Sequence, residues 1–504
     1  VSAPAAASYG PARPRWLTKT NVGVGLLAIP AALIGVFASA EGEDALRILA
    51  IVVLGVCCGG LLLYSLSVPW LRGEVFQPAV GFALVAFVGY GLGALHSRYG
   101  VTTGTHSKID ALPGLLMGLV ATGCFFLGYI VPLGRKVDGA WLQKRWPEFH
   151  VRRAFLGGLV LVGVGAIADA YYFLNGEYFA YSTSDNLSEQ FSTVGYFREL
   201  LFVGITIMAI SAYMPSGTRL MRRCVVAIAA VALGLLLPTA IRYDLLYVAV
   251  ALLLPRHFLH RRLPFASVLV AIVIIVGVIY PVGELYRHQY QSQSFGSQSF
   301  TETIAGVQTD LTALGPGGYV DYTFGPALGR VDLATPAAAL QTIVPSVLDY
   351  QLGATFMPAL LIFIPRPLWQ DKPFFQYDNL LGRLEGLLSP RDFRTSIKYS
   401  YVGELFLDFG WPGVVVGMAL YGLLFRLFFQ FAVLRKHPLG ILAYSLALTA
   451  MWTVESPLGP VLGTVIRELI TAFALLWVMG VFRVRTRAAT GSISSAEGIQ
   501  SQFE

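Results

Sequence analysis

The chain is dominated by apolar runs of about twenty residues, each long enough to cross the hydrocarbon core of a bilayer as a helix. A soluble fold could not hide so many of them. Only 13% of the 504 residues are charged and 55% are apolar, against about 25% charged for an ordinary soluble domain, so the polar exterior is missing. The 53 glycines and 32 phenylalanines suit helices that pack through small residues and carry aromatic rings near their ends. The expected fold class is an all-α polytopic membrane protein.

The runs predict about twelve transmembrane helices. The first nine lie near 21–40, 48–69, 76–94, 112–133, 154–172, 197–215, 224–240, 243–257 and 264–282, and the last three near 407–429, 438–454 and 463–481. The expected organisation is a cytoplasmic segment 1–20, helices one to nine over 21–282, a large extracytoplasmic loop 283–402, helices ten to twelve over 403–481, and a cytoplasmic tail 482–504. Arg13, Arg15 and Lys19 precede the first run like the basic region of a signal peptide. With further spans behind it, that run reads as a retained helix. The tail beyond Arg487 is small and polar, as disordered termini are.

Charge supplies the orientation. With twelve spans both termini share a side, and the segments on that side hold 21 Lys and Arg against 5 Asp and Glu. The opposite side holds 14 basic and 24 acidic residues, leaving aside Arg426. By the positive-inside rule both termini are cytoplasmic. The same rule accounts for the net charge of +7, which therefore does not indicate nucleic acid as a partner. Cys57, Cys58, Cys124 and Cys224 all fall in apolar runs and read as buried small hydrophobes. No His, Cys and Asp cluster has metal-ligand spacing, and no cofactor is expected.

The loop at 283–402 is the main interruption. Loops this long are usually functional or contain structure of their own, and the stretches 338–348 and 353–363 are apolar enough for short amphipathic or re-entrant helices. Ionisable residues at a membrane edge are costly and mark function by default. Arg242, in Thr239–Ala240–Ile241–Arg242–Tyr243–Asp244, breaks the charge bias on the outer side. It either receives an anion or pairs with Asp244 or a distant carboxylate. Arg467 and Glu468, near the start of the last helix, are another functional candidate or a plain ion pair.

The densest polar constellation is Phe363–Ile364–Pro365–Arg366–Pro367–Leu368–Trp369–Gln370–Asp371–Lys372–Pro373, followed by Arg391, Arg394, Lys398, then Ser400–Tyr401–Val402–Gly403–Glu404 and Phe409–Gly410–Trp411–Pro412–Gly413. The prolines around Arg366 fix its backbone. Arg366, Lys372 and Lys398, converging with Arg242, would form a cationic pocket for an anionic headgroup, since guanidinium grips phosphate oxygens in pairs.

This constellation resembles the signature of bacterial oligosaccharide repeat-unit polymerases, the Wzy-type O-antigen and exopolysaccharide polymerases. The resemblance rests on Arg366, Trp369 and Asp371–Lys372–Pro373, on Tyr401–Gly403–Glu404 followed by Phe409–Gly410–Trp411–Gly413, and on Arg242 opening the helix before the long loop. The topology agrees over roughly residues 20–480. It implies a fold like that of C-type membrane glycosyltransferases and transfer between undecaprenyl-diphosphate-linked oligosaccharides, which are donor and acceptor alike. It also implies a bacterial inner-membrane location, with a chain-length regulator and a flippase of the same pathway as partners. Arg242 and Arg366 are then expected to bind the diphosphates, with Lys372 and Lys398 beside them, and Trp369 and Tyr401 to contact sugar. The acceptor hydroxyl needs a proton acceptor; Glu404 is the first choice, with Asp371 and His288 after it, although Glu404 could equally hold a neighbouring cation or a loop amide. An O-antigen ligase shares this topology and donor, and a polysaccharide transporter shares the helix count.

Overall fold

A computed structural model of the protein describes residues 43–67, 74–94, 109–131, 148–174, 189–236, 242–263, 282, 285, 305–315, 331–361, 364, 369, 377–386, 388–391, 397, 399–433 and 437–483. Among these the regular structure is helical, apart from a two-residue antiparallel pairing of Glu148–Phe149 (β1) with Phe482–Arg483 (β2). In chain order the helices are α1 (Glu43–Ser67), α2 (Pro78–Ala86, continued by a π-helical turn Phe87–Leu92), α3 (Leu112–Ile130), α4 (Val151–Leu174), α5 (Glu189–Tyr213), α6 (Arg219–Leu236) and α7 (Arg242–Leu259). After them come α8 (Ala334–Ile343), a 3-10 turn Ala354–Phe356, α9 (Met357–Leu361), α10 (Tyr377–Leu384), α11 (Ser400–Ala432), α12 (Pro438–Trp452) and α13 (Leu458–Val478).

Five of the described helices are long and apolar enough to cross a membrane, over Ala45–Ser65, Leu112–Ile130, Val151–Tyr172, Ser400–Ala432 and Leu458–Val478. The runs Pro78–Leu92 and Pro438–Trp452 are apolar but shorter. Helices stand at the expected spans from the second to the eighth and from the tenth to the twelfth. The first expected span, and the ninth up to residue 281, lie outside the described residues. Several boundaries differ from expectation, among them the starts of α1 at Glu43, α5 at Glu189 and α13 at Leu458, and two more touch the loop and a charged turn. The last segment of the loop, up to 402, is already helical because α11 starts at Ser400, and α6 starts at Arg219 rather than 224. In the second case Arg222 bends back to donate to the Ala212 carbonyl at 3.1 Å, so a charged residue extends the helix below the apolar run.

Small residues set the helix spacing. A Cβ on Gly158 of α4 would lie 2.8 Å from the Gly204 carbonyl oxygen of α5, and one on Gly204 would lie 2.6 Å from that of Gly158. Neither position tolerates a side chain without separating the pair. Gly128 of α3 and Gly422 of α11 bring those two helices together in the same way. The outward faces stay apolar: Ile167, Val231, Val416 and Trp477 are all largely exposed.

The bundle has two chemically different ends. At one, here the Ser400 end, Arg47 meets Asp110 at 2.5 Å and the Tyr90 hydroxyl lies 2.7 Å from Ser400 Oγ. At the other, the Arg426 end, Glu74 holds His257 at 2.7 Å and Arg262 at 2.8 Å. There Arg426, fully buried, donates to the carbonyls of Tyr129 (2.8 Å) and Val131. A guanidinium thus satisfies the carbonyls that the end of α3 leaves without partners. Arg153 does the same for the Gly480 carbonyl at 3.0 Å.

Candidate functional site

The Ser400 end is organised by a break in α11. Gly410 has φ 64° and ψ −153°, a conformation in effect reserved for glycine, and Pro412 follows inside the same helix. Proline has no N–H to give to the carbonyl four residues back, which is that of Asp408. Leu352 N–H donates to that carbonyl instead at 3.1 Å, and Gln351 N–H to the Leu407 carbonyl at 3.0 Å. The Asp408 side chain completes the clamp, accepting from Gly353 N at 3.0 Å and from the Thr355 hydroxyl. A proline in one helix thereby pins the segment 351–355, which leads directly into α9 and onward to Ile364 and Trp369.

Glu404, on the turn before Asp408, is wholly buried. Its Oε1 accepts from Gly459 N at 2.9 Å and its Oε2 from Leu458 N. The residue before α13 is Pro457, which offers no side-chain cap, so the first amides of α13 take a carboxylate from another helix. Of the two roles considered for Glu404, these contacts match the holding of backbone amides: both oxygens join α13 to α11. Tyr401, expected to contact sugar, is a packing residue instead. It is fully buried, edge-on to Tyr421 and Phe425, with its hydroxyl donating to the Ala450 carbonyl. It packs the core and has no face left for a sugar.

Trp369 is 36% exposed, open enough to stack on a ligand. Arg242 is the first residue of α7; its side chain lies outside the described residues, as do Arg366, Asp371, Lys372, Lys398 and His288. Asp244, the partner considered for Arg242, binds a different arginine. Arg198 of α5 reaches Asp169 of α4 at 2.5 Å and Asp244 of α7 at 2.7 Å, tying three helices together. Arg467 of α13 likewise pairs with Glu199 of α5, not with its neighbour Glu468, which is 5% exposed. Adjacent residues on a helix point about 100° apart and cannot face one another.

One further carboxylate belongs to this end. Glu385 follows α10, and its Oε1 is buried without a hydrogen-bond partner. Burial pushes its carboxyl up from 4.5 to about 8. Among the described residues no group of three or more His, Cys, Asp or Glu could hold a metal ion.

No protein-family model, curated protein or solved structure matches the chain.

Proposed function

We propose that the chain is a glycosyltransferase of the bacterial inner membrane, with twelve spans, cytoplasmic termini and a C-type membrane fold, and that the Ser400 end is its outer face. In this reading it polymerises undecaprenyl-diphosphate-linked oligosaccharide repeat units into O-antigen or exopolysaccharide. The observation that carries the reading is a packed path between the neighbourhoods of the two candidate arginines. Segment 351–355, clamped to α11, continues into α9, which lies along α13. Arg467 of α13 holds Glu199; the next residue, Arg198, holds Asp244. Asp244 is two residues from Arg242, and α9 ends five residues before Arg366. The described segments nearest both arginines are thus linked through packed helices, which supports a shared site for the two.

The chemistry follows from the groups this would gather. The acceptor hydroxyl oxygen attacks the anomeric carbon of the donor, and the bond from that carbon to the diphosphate oxygen breaks. The diphosphate leaves with the electron pair, and Arg242, Arg366, Lys372 and Lys398 stabilise the charge that builds on it. Trp369 offers an aromatic face to the glycan. A chain-length regulator and a flippase would work beside the enzyme.

The test is an assay in purified proteoliposomes given only undecaprenyl-diphosphate-linked repeat units. A ladder of lengthening products supports a polymerase. Product formed only when a different acceptor is added makes the protein a ligase and overturns the reading.

A further inference from the structure

The interior of the Ser400 end carries more negative charge than its ion pairs use. Among the described side chains, Asp169, Glu199, Asp244 and Glu468 stand against Arg198 and Arg467, four carboxylates to two guanidiniums. Three of the four are paired. The fourth, Glu468, is 5% exposed, its Oε2 is buried without a hydrogen-bond partner, and it lies in the field of both Glu199 and Arg467. A charged, unpartnered carboxylate in such a place is costly, and a second carboxylate beside it makes matters worse. Two carboxylates sharing a site hold one proton between them.

We infer that Glu199 and Glu468 form a proton-binding pair inside the bundle, with Arg467 balancing the one remaining negative charge. Among the described side chains the groups facing the pair are few. From α5 they are Arg198 and Glu199, from α4 Asp169, and from α7 Asp244, the last three joined through Arg198 or adjacent to it. On α11, Glu404 and Asp408 are engaged with the first turn of α13 and with 353–355. The packed stretches of α9 and α12 supply no acid or base at this level: α9 is Met-Pro-Ala-Leu-Leu, and the one ionisable side chain of α12 is Tyr444, which bonds the Phe76 carbonyl toward the Arg426 end. The pair also has an asymmetry suited to moving a proton. The Glu199 side chain is 30% exposed whereas Glu468 is enclosed, so a proton stored at Glu468 exchanges with the outside through Glu199.

Each glycosidic bond formed by the proposed reaction releases one proton from the acceptor hydroxyl. The pair can relay it: the resident proton leaves through Glu199 to the departing diphosphate or to water, and the proton released by the hydroxyl takes its place. This role rests on the polymerase reading, whereas the proton site itself does not.

The experiment is infrared spectroscopy of the purified protein in nanodiscs, comparing wild type, Glu468→Gln and Glu199→Gln across acid to alkaline pH. In the difference between wild type and each variant, which removes the common contribution of the protonated Glu385, the carbonyl stretch of a buried protonated carboxyl is expected at neutral pH, shifted in heavy water and present for both variants. Glutamine keeps the size of each side chain, and melting curves confirm that the variants are folded. If one variant does not fold, the other carries the comparison. A difference spectrum without the band, taken with folded variants, overturns the proton site. A band that sodium removes at fixed pH assigns the site to a metal cation and overturns it too. Loss of the band with unaltered chain lengthening leaves the proton site standing and removes its catalytic role. Absence of lengthening in the wild type sinks the polymerase reading alone.

Discussion

The Glu404 carboxylate accepts the backbone N–H of Gly459 at 2.9 Å across 55 residues of sequence, so the start of α11 caps the start of α13. Holding Leu458 N as well, it fixes the helix that carries Arg467 and Glu468. Replacing it with alanine leaves two buried amides without acceptors. Glu404→Ala is expected to destabilise the protein by on the order of 3 kcal/mol, read as a lower melting temperature in detergent. Glu404→Gln keeps one acceptor oxygen and should fold and still lengthen chains, at a reduced rate. A folded glutamine variant with no activity at all would make Glu404 the proton acceptor.

Gly410 and Asp408 make the second prediction. A Cβ at Gly410 would meet the Tyr350 hydroxyl at 3.0 Å in a backbone conformation that alanine does not favour. Gly410→Ala and Asp408→Ala should both release segment 351–355 from α11. Limited proteolysis is expected to cut within 345–361 several times faster in each variant than in the wild type, with the rest of the digest unaltered.

Arg198 joins three helices through two carboxylates. Truncating one member of a largely buried ion network strands the others, at a cost on the order of 3 kcal/mol. Arg198→Ala should therefore lower the melting temperature markedly. Adding Asp169→Asn and Asp244→Asn to it should recover much of the loss. Absence of any recovery would mean that the network does not act as a unit.

The apolar runs made the helices legible, because a span of that length and composition has few alternatives. The charges inside them were less so. Arg198 and Glu199 lie at the expected start of a span; their partners Asp169, Asp244 and Arg467 lie 29, 46 and 268 residues away, and only packing brings them together. The pairing of Arg467 with Glu468 looked natural in sequence but fails on helix geometry. Pro412 did carry a readable signal, since a proline inside a span must leave the carbonyl four residues earlier, at Asp408, without its helical partner. Which segment would answer it was not readable.

Glu385 gives a pH prediction. Its carboxyl is raised from 4.5 to about 8 by burial, so between these values the folded protein binds more protons than the unfolded chain. Stability contributed by the protonated form is then lost as pH rises through this window. Glu385→Gln should leave stability below the window nearly unchanged and flatten the decline toward alkaline pH. Parallel melting curves for wild type and variant across the window would show that Glu385 is not the group responsible.

The arginines carry the central claim. Arg242→Ala and Arg366→Ala should each insert into the membrane at wild-type levels and each lower chain lengthening at least a hundredfold, since loss of a charged donor at a developing oxyanion is worth about that factor or more. The direct measurement is gel analysis of products from proteoliposomes holding wild type or either variant, supplied with undecaprenyl-diphosphate-linked repeat units alone. The account predicts a ladder from the wild type and unreacted single units from both variants. Ladders of normal length from both variants, or no ladder from the wild type, would contradict it.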